Sequence, residues 1–131
     1  LAAPTAEHQP LIEELLALMQ AQGADFTNTF AALGTASARD QFTDRDAFDA
    51  WEKTWRALDP DASVMAAANP QIIPRNLRIE EMIEAAVGGD MNPFERVMRA
   101  LSAPYAVTAE FDDLRRPPTA DEIVPATFCG T

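Results

Sequence analysis

Apolar residues recur along most of this chain at the three- and four-residue spacing of amphipathic helices. The first such stretch follows Pro10, a residue suited to a first helical turn, and Gly23 is a plausible stop. The second follows the potential cap Asp25 and ends at Gly34. Each stretch places its apolar side chains on one face: Leu11, Ile12, Leu15, Leu16, Leu18 and Met19 in the first, and Phe26, Phe30 and Leu33 in the second.

A third helix is predicted to begin near Thr43 or Asp44 and to end before Pro60. Its apolar face has spacings of three, four and three residues, and consists of Phe48, Trp51, Trp55 and Leu58. Two acid–base pairs four residues apart support it, Asp49 with Lys53 and Glu52 with Arg56. A short alanine-rich helix from Asp61 to about Ala68 is predicted next.

The stretch NPQIIPRN, residues 69–76, interrupts the helical pattern. Pro70 and Pro74 cannot both lie inside one regular helix, and each favours extended geometry in the residue before it. The sequence therefore predicts a rigid, extended connector in which Ile72 and Ile73 are available for burial.

Two further helices are predicted after the connector. The fifth ends at Gly88 and Gly89, and its face consists of Ile79, Met82, Ile83, Ala86 and Val87. The sixth has Asn92 as its expected cap, Pro93 as its first residue and Glu95 in a position suited to a capping box. Its inward face is predicted to be Phe94, Val97, Met98 and Leu101, and Pro104 closes it.

Helical periodicity is lost between Pro104 and Thr131, where three further prolines indicate an extended arm. Neither a β-hairpin signal nor an internal repeat is visible in the sequence. The predicted fold is all-α, with about six helices in an irregular array. The predicted division is a helical domain over 1–103 and a proline-rich tail over 104–131.

Composition limits the classes of partner. The 131 residues carry a net charge of -11, with 10 basic and 21 acidic residues, which disfavours nucleic acid and anionic membrane surfaces. The apolar runs are short and interrupted by charges, so none predicts a membrane span. The single cysteine, Cys129, cannot form an internal disulfide and favours a reducing, cytoplasmic compartment. The chain opens at Leu1 without a methionine, which we interpret as the mark of a fragment.

Few residues predict chemistry of their own. His8 is the only histidine, so a zinc site lacks ligands, and a surface position is expected. The run DRDAFD, residues 44–49, fails as a calcium loop because Asp49 stands where the turn glycine belongs. Phosphate-binding glycine motifs are missing from the sequence. No catalytic, metal-binding or cofactor-binding residue is therefore predicted in this chain.

Two features leave alternatives open. Trp51 and Trp55 are spaced as core or interface residues, although they could also form a stacking platform. Arg75, between Pro74 and Asn76, could tie the connector to carbonyl or carboxylate groups, and the alternative is anion binding. The acidity of the chain favours the structural role.

The stretch NPQIIPRN followed by LRIEEMIEAAVGGDMNPFERVMRALSAPY resembles the C-terminal region of the selenoprotein O family, called YdiU in bacteria. The resemblance rests on an ordered set of positions, from a D-[FY]-T-x-x-F stretch at 25–30 to a terminal cysteine motif at 127–131. Leu77 departs from the family, which usually has histidine after R-N. The motif residues to which the resemblance implies a structural role are Asn69, Pro70, Pro74, Arg75, Asn76 and Tyr105.

The resemblance implies a kinase-like parent that binds ATP with magnesium or manganese and transfers AMP to Ser, Thr or Tyr hydroxyls of proteins. This chain would then be its C-terminal helical scaffold, with the upstream kinase-like part as its main partner and with neither ATP nor metal bound by its own residues. The resemblance also aligns Cys129 with a redox position that pairs with a cysteine in the kinase-like region. An inert cysteine remains the alternative.

A different class of function is also open. The chain could be a self-standing acidic helical module that binds other proteins through the face of Trp51 and Trp55. As a separated part of a larger protein, it would expose an apolar face and could cover that face by forming a homodimer.

Overall fold

Helices make up the regular structure of residues 5–127, the part of the chain described by a computed structural model. Seven α-helices and no strand occur in this part, so the predicted all-α class is confirmed. The helices are α1 (Gln9–Gln22), α2 (Phe26–Ala32), α3 (Arg45–Arg56), α4 (Ala62–Ala68), α5 (Asn76–Val87), α6 (Asn92–Leu101) and α7 (Asp112–Arg115).

The chain divides into two compact units, Leu1–Asn69 and Pro70–Thr131. The boundary that the sequence predicts, between residues 103 and 104, falls within the second unit. Each unit has an apolar core of its own. The two are therefore described separately.

Aspartate caps fix the helix starts in the first unit. The carboxylate of Asp25 accepts from the backbone N–H of Asn28 at 2.9 Å, and that of Asp44 accepts from Ala47 at 3.1 Å. Each bond satisfies an N–H group that would otherwise lack an intrahelical acceptor. Gly23 ends α1 in the left-handed conformation, with φ of 64°, where glycine avoids the clash of a β-carbon. These helix limits agree with the sequence-based prediction.

The core of the first unit lies between α1 and α3 and includes the loop between α2 and α3. Phe48 is completely buried and stacks on Phe42 with 4.6 Å between ring centroids. The buried members are Leu15, Met19, Leu33, Ala38, Phe42, Phe48 and Trp51. Phe26, predicted to lie on the inward face of α2, is 63% exposed because it is the first helical residue, at the edge of a two-turn helix.

The charged pairs on α3 differ in part from the prediction. Glu52 and Arg56 form the expected pair at 2.7 Å. Asp49 instead binds the guanidinium of Arg39, at 3.0 and 2.7 Å, and not Lys53. The planar fork of arginine matches both carboxylate oxygens, which a lysine ammonium cannot do. The hydrogen bond from Arg39 lowers the pKa of Asp49.

The second unit is organised by the connector and α6. Ile72 is buried, and the backbone N–H groups of Gln71 and Ile72 both donate to the carbonyl oxygen of Pro104, at 2.8 and 3.1 Å. The connector is therefore fastened to the chain just beyond α6. The core of this unit consists of Ile72, Val97, Ala100, Phe111 and Leu114.

The start of α6 is displaced by one residue from the prediction. Asn92 is the first helical residue and not the cap. The Asp90 carboxylate accepts from the Asn92 backbone N–H at 3.0 Å and from its side-chain amide at 2.8 Å. The buried face also differs, because Val97 and Ala100 are buried whereas Phe94 and Met98 are 38% and 50% exposed.

The segment after Pro104 is predicted to be extended, but it contains helical turns over 109–122. Two short 3-10 turns, Ala109–Phe111 and Ala120–Glu122, flank α7. Phe111 and Leu114 are three residues apart, so a short helical segment places both on the same side, where they enter the core. Their burial explains why this proline-rich segment folds onto its unit.

Candidate functional site

Several residues in or beside the motif of Asn69 to Tyr105 form hydrogen bonds with the backbone. Asn69 donates its side-chain amide to the carbonyl oxygen of Met65 at 2.8 Å, at the end of α4. Pro104 accepts the two connector N–H groups, and the neighbouring Tyr105 is half exposed. These contacts fix the path of the chain and bring together no group that could act in catalysis.

Arg75 joins two parts of the second unit. The residue is only 9% exposed, and its Nη2 donates to the carbonyl oxygen of Arg115 at 3.0 Å. Its own carbonyl accepts from the N–H groups of Arg78 and Ile79, so it also caps α5, which begins at Asn76. A contact to a carbonyl is what the structural interpretation of Arg75 requires.

Three further arginines surround α7. Arg96 donates to both carboxylate oxygens of Asp113 at 2.8 and 2.6 Å, and these hydrogen bonds lower the pKa of Asp113. Arg78 donates to the carbonyl of Asp113 at 2.9 Å, and Arg99 to Glu110 at 2.9 Å. Because carboxylates and carbonyls already bind these guanidinium groups, the cluster is a structural network and not an open anion site.

A fourth arginine organises the chain beyond α7. Arg116 donates to both carboxylate oxygens of Glu122, at 2.8 and 3.0 Å, and Glu122 also accepts from the Thr119 backbone N–H at 2.9 Å. Hydrogen bonds from Arg116 and Thr119 lower the pKa of Glu122 to about 2. We call this arrangement the Arg116–Glu122 clamp.

A groove of about 460 Å³ lies in the first unit, between α1 and α3. Its floor contains the buried side chains of Leu15, Leu33 and Trp51. Its walls and rim include Leu11, Ile12, Phe30, Trp55, Leu58 and Pro60. We call this surface the apolar groove. The helical spacing of Trp51 and Trp55 is visible in the sequence, but nothing there indicates that α1 lies opposite them.

Three contacts hold the groove in shape. The indole N–H of Trp51 donates to the carbonyl oxygen of Leu11 at 2.8 Å, joining α3 to α1. Trp55 stacks on Trp51 with 5.8 Å between centroids and an interplanar angle of 13°, and Arg56 lies 5.6 Å above the Trp55 ring. Trp51 is therefore a core residue, whereas Trp55 is half-buried and lines the groove.

His8 and Asp59 are the polar residues of the groove. His8 is half-buried, and its Nδ1 lies 3.3 Å from the hydroxyl oxygen of Thr5. Asp59 adopts a positive φ of 51° just before Pro60, where the chain turns away from α3. An imidazole and one carboxylate do not form a nucleophile–base pair or a metal site.

Other predicted features can be placed only in part. Across residues 5–127, no group of three His, Cys, Asp or Glu side chains is arranged to hold a metal ion. No helix in the same range has the length and apolar character needed to cross a membrane. Cys129 lies outside the described residues.

The regular structure of the described part of the chain is thus all-helical, with arginine networks in the second unit and the apolar groove in the first. No family model matches the chain. It is 60% identical to the protein nucleotidyltransferase YdiU of Roseobacter denitrificans, over 100% of this chain and 28% of that relative. The proteins of the same name from Ruegeria sp. TM1040 and Ruegeria pomeroyi are 55% and 54% identical, over 92% and 100% of this chain.

The chain belongs to this YdiU, or selenoprotein O, family, and the resemblance seen in the sequence is confirmed. It spans between 26% and 29% of the length of these three relatives.

Proposed function

We propose that this chain is the C-terminal helical part of a cytoplasmic protein adenylyltransferase, which transfers AMP from ATP to Ser, Thr or Tyr hydroxyls of other proteins. The observation that carries the proposal is the 60% identity, over the whole chain, to a protein named as a nucleotidyltransferase. The arginine networks around α7 and the connector support a scaffold role, because their side chains bind other groups of the same unit.

We propose no ATP or magnesium site among the described residues of this chain. The described residues contain no three-ligand cluster, and the carboxylate of Asp113 is bound by Arg96. Magnesium or manganese and the nucleotide would therefore be held by the rest of the parent protein. No chemical step is assigned to this chain.

The proposed reaction has a definite isotopic signature. The substrate hydroxyl oxygen bonds to the α-phosphorus of ATP, the bond from that phosphorus to the oxygen bridging to the β-phosphorus breaks, and pyrophosphate leaves. The hydroxyl proton passes to a base in the remainder of the parent. Intact parent with magnesium or manganese should label protein hydroxyls from α-labelled ATP and not from γ-labelled ATP.

Controls for this assay are the 131-residue chain alone, which should transfer nothing, and the parent with chelator. Transfer of the γ-label would indicate a kinase, and the absence of transfer from either nucleotide would overturn the enzymatic proposal.

We further propose that Cys129 is a redox group that forms a disulfide with a cysteine elsewhere in the parent. Formation of this disulfide removes two electrons and two protons from the two thiols, and a disulfide oxidant such as oxidised glutathione accepts them and becomes two thiols. The supporting observation is that residues 125–127, which precede Cys129 in the sequence, are exposed to solvent.

Thiol trapping and mass mapping should show Cys129 labelled in reducing buffer and protected in oxidising buffer, and Cys129→Ser should make AMP transfer insensitive to the oxidant. Equal labelling in both buffers would contradict the redox role.

The apolar groove favours a second candidate, a self-standing protein-binding module. The coding sequence upstream of Leu1 distinguishes the two candidate functions. Kinase-like motifs there would support the adenylyltransferase parent, whereas a reading frame that opens at Leu1 would support the module.

A further inference from the structure

The apolar groove is already formed in the first unit. Its floor is buried core, and the hydrogen bond from Trp51 to Leu11 fixes the separation of its two walls. On the rim, Ile12 and Leu58 are 39% and 47% exposed. A preformed concave apolar surface requires little reordering when a partner binds, so binding there loses little conformational entropy.

Acidic residues outnumber basic residues in the unit that contains the groove. Residues 1–69 contain eleven acidic and four basic residues, and residues 1–35 contain no Lys or Arg. Asp59 lies on the rim of the groove, whereas Glu13 and Glu14 lie on α1 outside the residues that line it. On α3, the basic group nearest in sequence to the rim is Arg56, and it is paired with Glu52 at 2.7 Å. The field at the groove therefore favours a positively charged occupant.

We propose that the apolar groove is the docking site for a basic amphipathic helix from the part of the parent protein that lies outside these 131 residues. The inference rests on the proposed function, because it takes the chain to be one part of a longer family member. About 28% of the length of the Roseobacter denitrificans relative corresponds to this chain, so most of that protein remains to cover the groove.

The shape and chemistry of the groove specify the helix. The groove lies between α1 and α3, with Phe30 of α2 also in its lining, and it is suited to the apolar stripe of a further helix with anchors at i, i+3, i+4 and i+7. Lys or Arg residues flanking that stripe would lie near the carboxylate of Asp59 on the rim, within a unit that carries an excess of acidic residues. Like charge disfavours a second copy of the chain, because its first unit carries the same excess of acidic residues.

Cysteine footprinting tests the proposal in the intact parent. Leu58→Cys and Ile12→Cys are made separately, each with Cys129→Ser, in the 131-residue chain and in the parent. Alkylation by N-ethylmaleimide is followed by mass mapping of the peptides that carry these positions. Both thiols should react at least about tenfold more slowly in the parent than in the chain, since reaction would require the docked helix to open.

Ala50→Cys is the matched control, because Ala50 is exposed on α3 and does not line the groove. Its alkylation rate should be similar in the chain and in the parent. Equal rates for Leu58→Cys in both proteins would overturn the docking proposal, and so would equal slowing of Ala50→Cys and Leu58→Cys.

A synthetic peptide tests the stated chemistry of the occupant without substitutions in the parent. The isolated chain should bind a Leu/Lys amphipathic helix of about 18 residues, and Leu58→Asp should weaken that binding about tenfold or more. The same helix with Glu in place of Lys should bind more weakly. Tighter binding of the Glu peptide than of the Lys peptide would contradict the proposal. So would a chain that light scattering shows to be a homodimer and whose Leu58→Cys thiol is protected from alkylation.

The outcomes separate this inference from the adenylyltransferase proposal. If the parent transfers AMP but its Leu58→Cys thiol is alkylated as fast as in the isolated chain, the adenylyltransferase proposal stands and the docked helix is excluded. Protection of Leu58→Cys in a parent that transfers no AMP would retain the docked helix and exclude the enzyme.

Discussion

The indole N–H of Trp51 donates to the backbone carbonyl oxygen of Leu11 at 2.8 Å, although forty residues separate the two in sequence. The contact joins α3 to α1 and closes the floor of the apolar groove. Its partner on α1 is a backbone atom, so no side chain on α1 could indicate it. One of the contacts that hold the groove in shape is therefore visible only in the folded chain.

Trp51→Phe removes this donor and leaves the Leu11 carbonyl without it. We expect the free energy of unfolding to fall by about 1–3 kcal/mol, because the change removes one hydrogen bond and part of a buried side chain. Urea denaturation followed by circular dichroism measures the change. Trp55→Phe is the control and should cost less, because Trp55 is half-buried. A Trp51→Phe variant no less stable than Trp55→Phe would contradict the assignment.

Arg75→Met keeps most of the apolar stem and removes the guanidinium that binds the Arg115 carbonyl. The expected loss is again about 1–3 kcal/mol of unfolding free energy, with weakened protection of the amides of α7 in hydrogen exchange. Arg99→Met removes a pair whose side chains are 64% and 60% exposed, so it should cost no more than about 1 kcal/mol. Similar costs for both variants would argue against the special position of Arg75.

The Arg116–Glu122 clamp should lose its stabilising effect only at an unusually low pH. The pKa of Glu122 falls from an ordinary 4.5 to about 2, so its stabilising contribution is complete above about 4.5 and is lost as the pH falls through about 2. The amide resonance of Thr119, which donates to Glu122, should therefore titrate with a midpoint near 2. Glu122→Gln should abolish this titration, and a midpoint near the ordinary 4.5 would show that the clamp is not formed in solution.

Asp61 starts α4 by accepting from the N–H groups of Ser63 and Val64, at 2.9 and 3.2 Å. Asp61→Ala should destabilise this short helix by about 0.5–2 kcal/mol, whereas Asp61→Asn retains a cap and should cost much less. Hydrogen exchange of the α4 amides provides the measurement. Equal exchange in the Ala and Asn variants would exclude the capping role.

Local signals in the sequence predict the helices well, because caps and stops act over a few residues. Asp25, Asp44 and Gly23 lie at the helix ends where their chemistry places them. Pairings over longer distances are not predicted. Asp49 binds Arg39, ten residues away, and nothing in the helical spacing distinguishes that partner from Lys53.

The buried face of α6 shows the same limit. Phe94 and Met98 satisfy a helical apolar pattern as well as Val97 and Ala100 do, and only the packing of Phe111 and Leu114 decides which face is buried. The apolar groove could not be predicted for a related reason, since it requires knowing that α1 and α3 are neighbours. The extended connector before Arg75 can be predicted because Pro70 and Pro74 cannot both lie inside one regular helix.

The carbonyl oxygen of Pro104 accepts two N–H groups, from Gln71 and Ile72, and all of these atoms belong to the main chain. These two hydrogen bonds, which we call the latch, therefore need no particular side chain, although proline at residue 71 or 72 would remove a donor. A change in length is different, because the chain between residues 72 and 104 must bring one carbonyl back to two adjacent amides. Insertion or deletion of a residue within α5 or α6 would rotate the remainder of that helix by about 100° and move the latch out of register. The number of residues between the two halves of the motif is thus a constraint in its own right, independent of which residues occupy them.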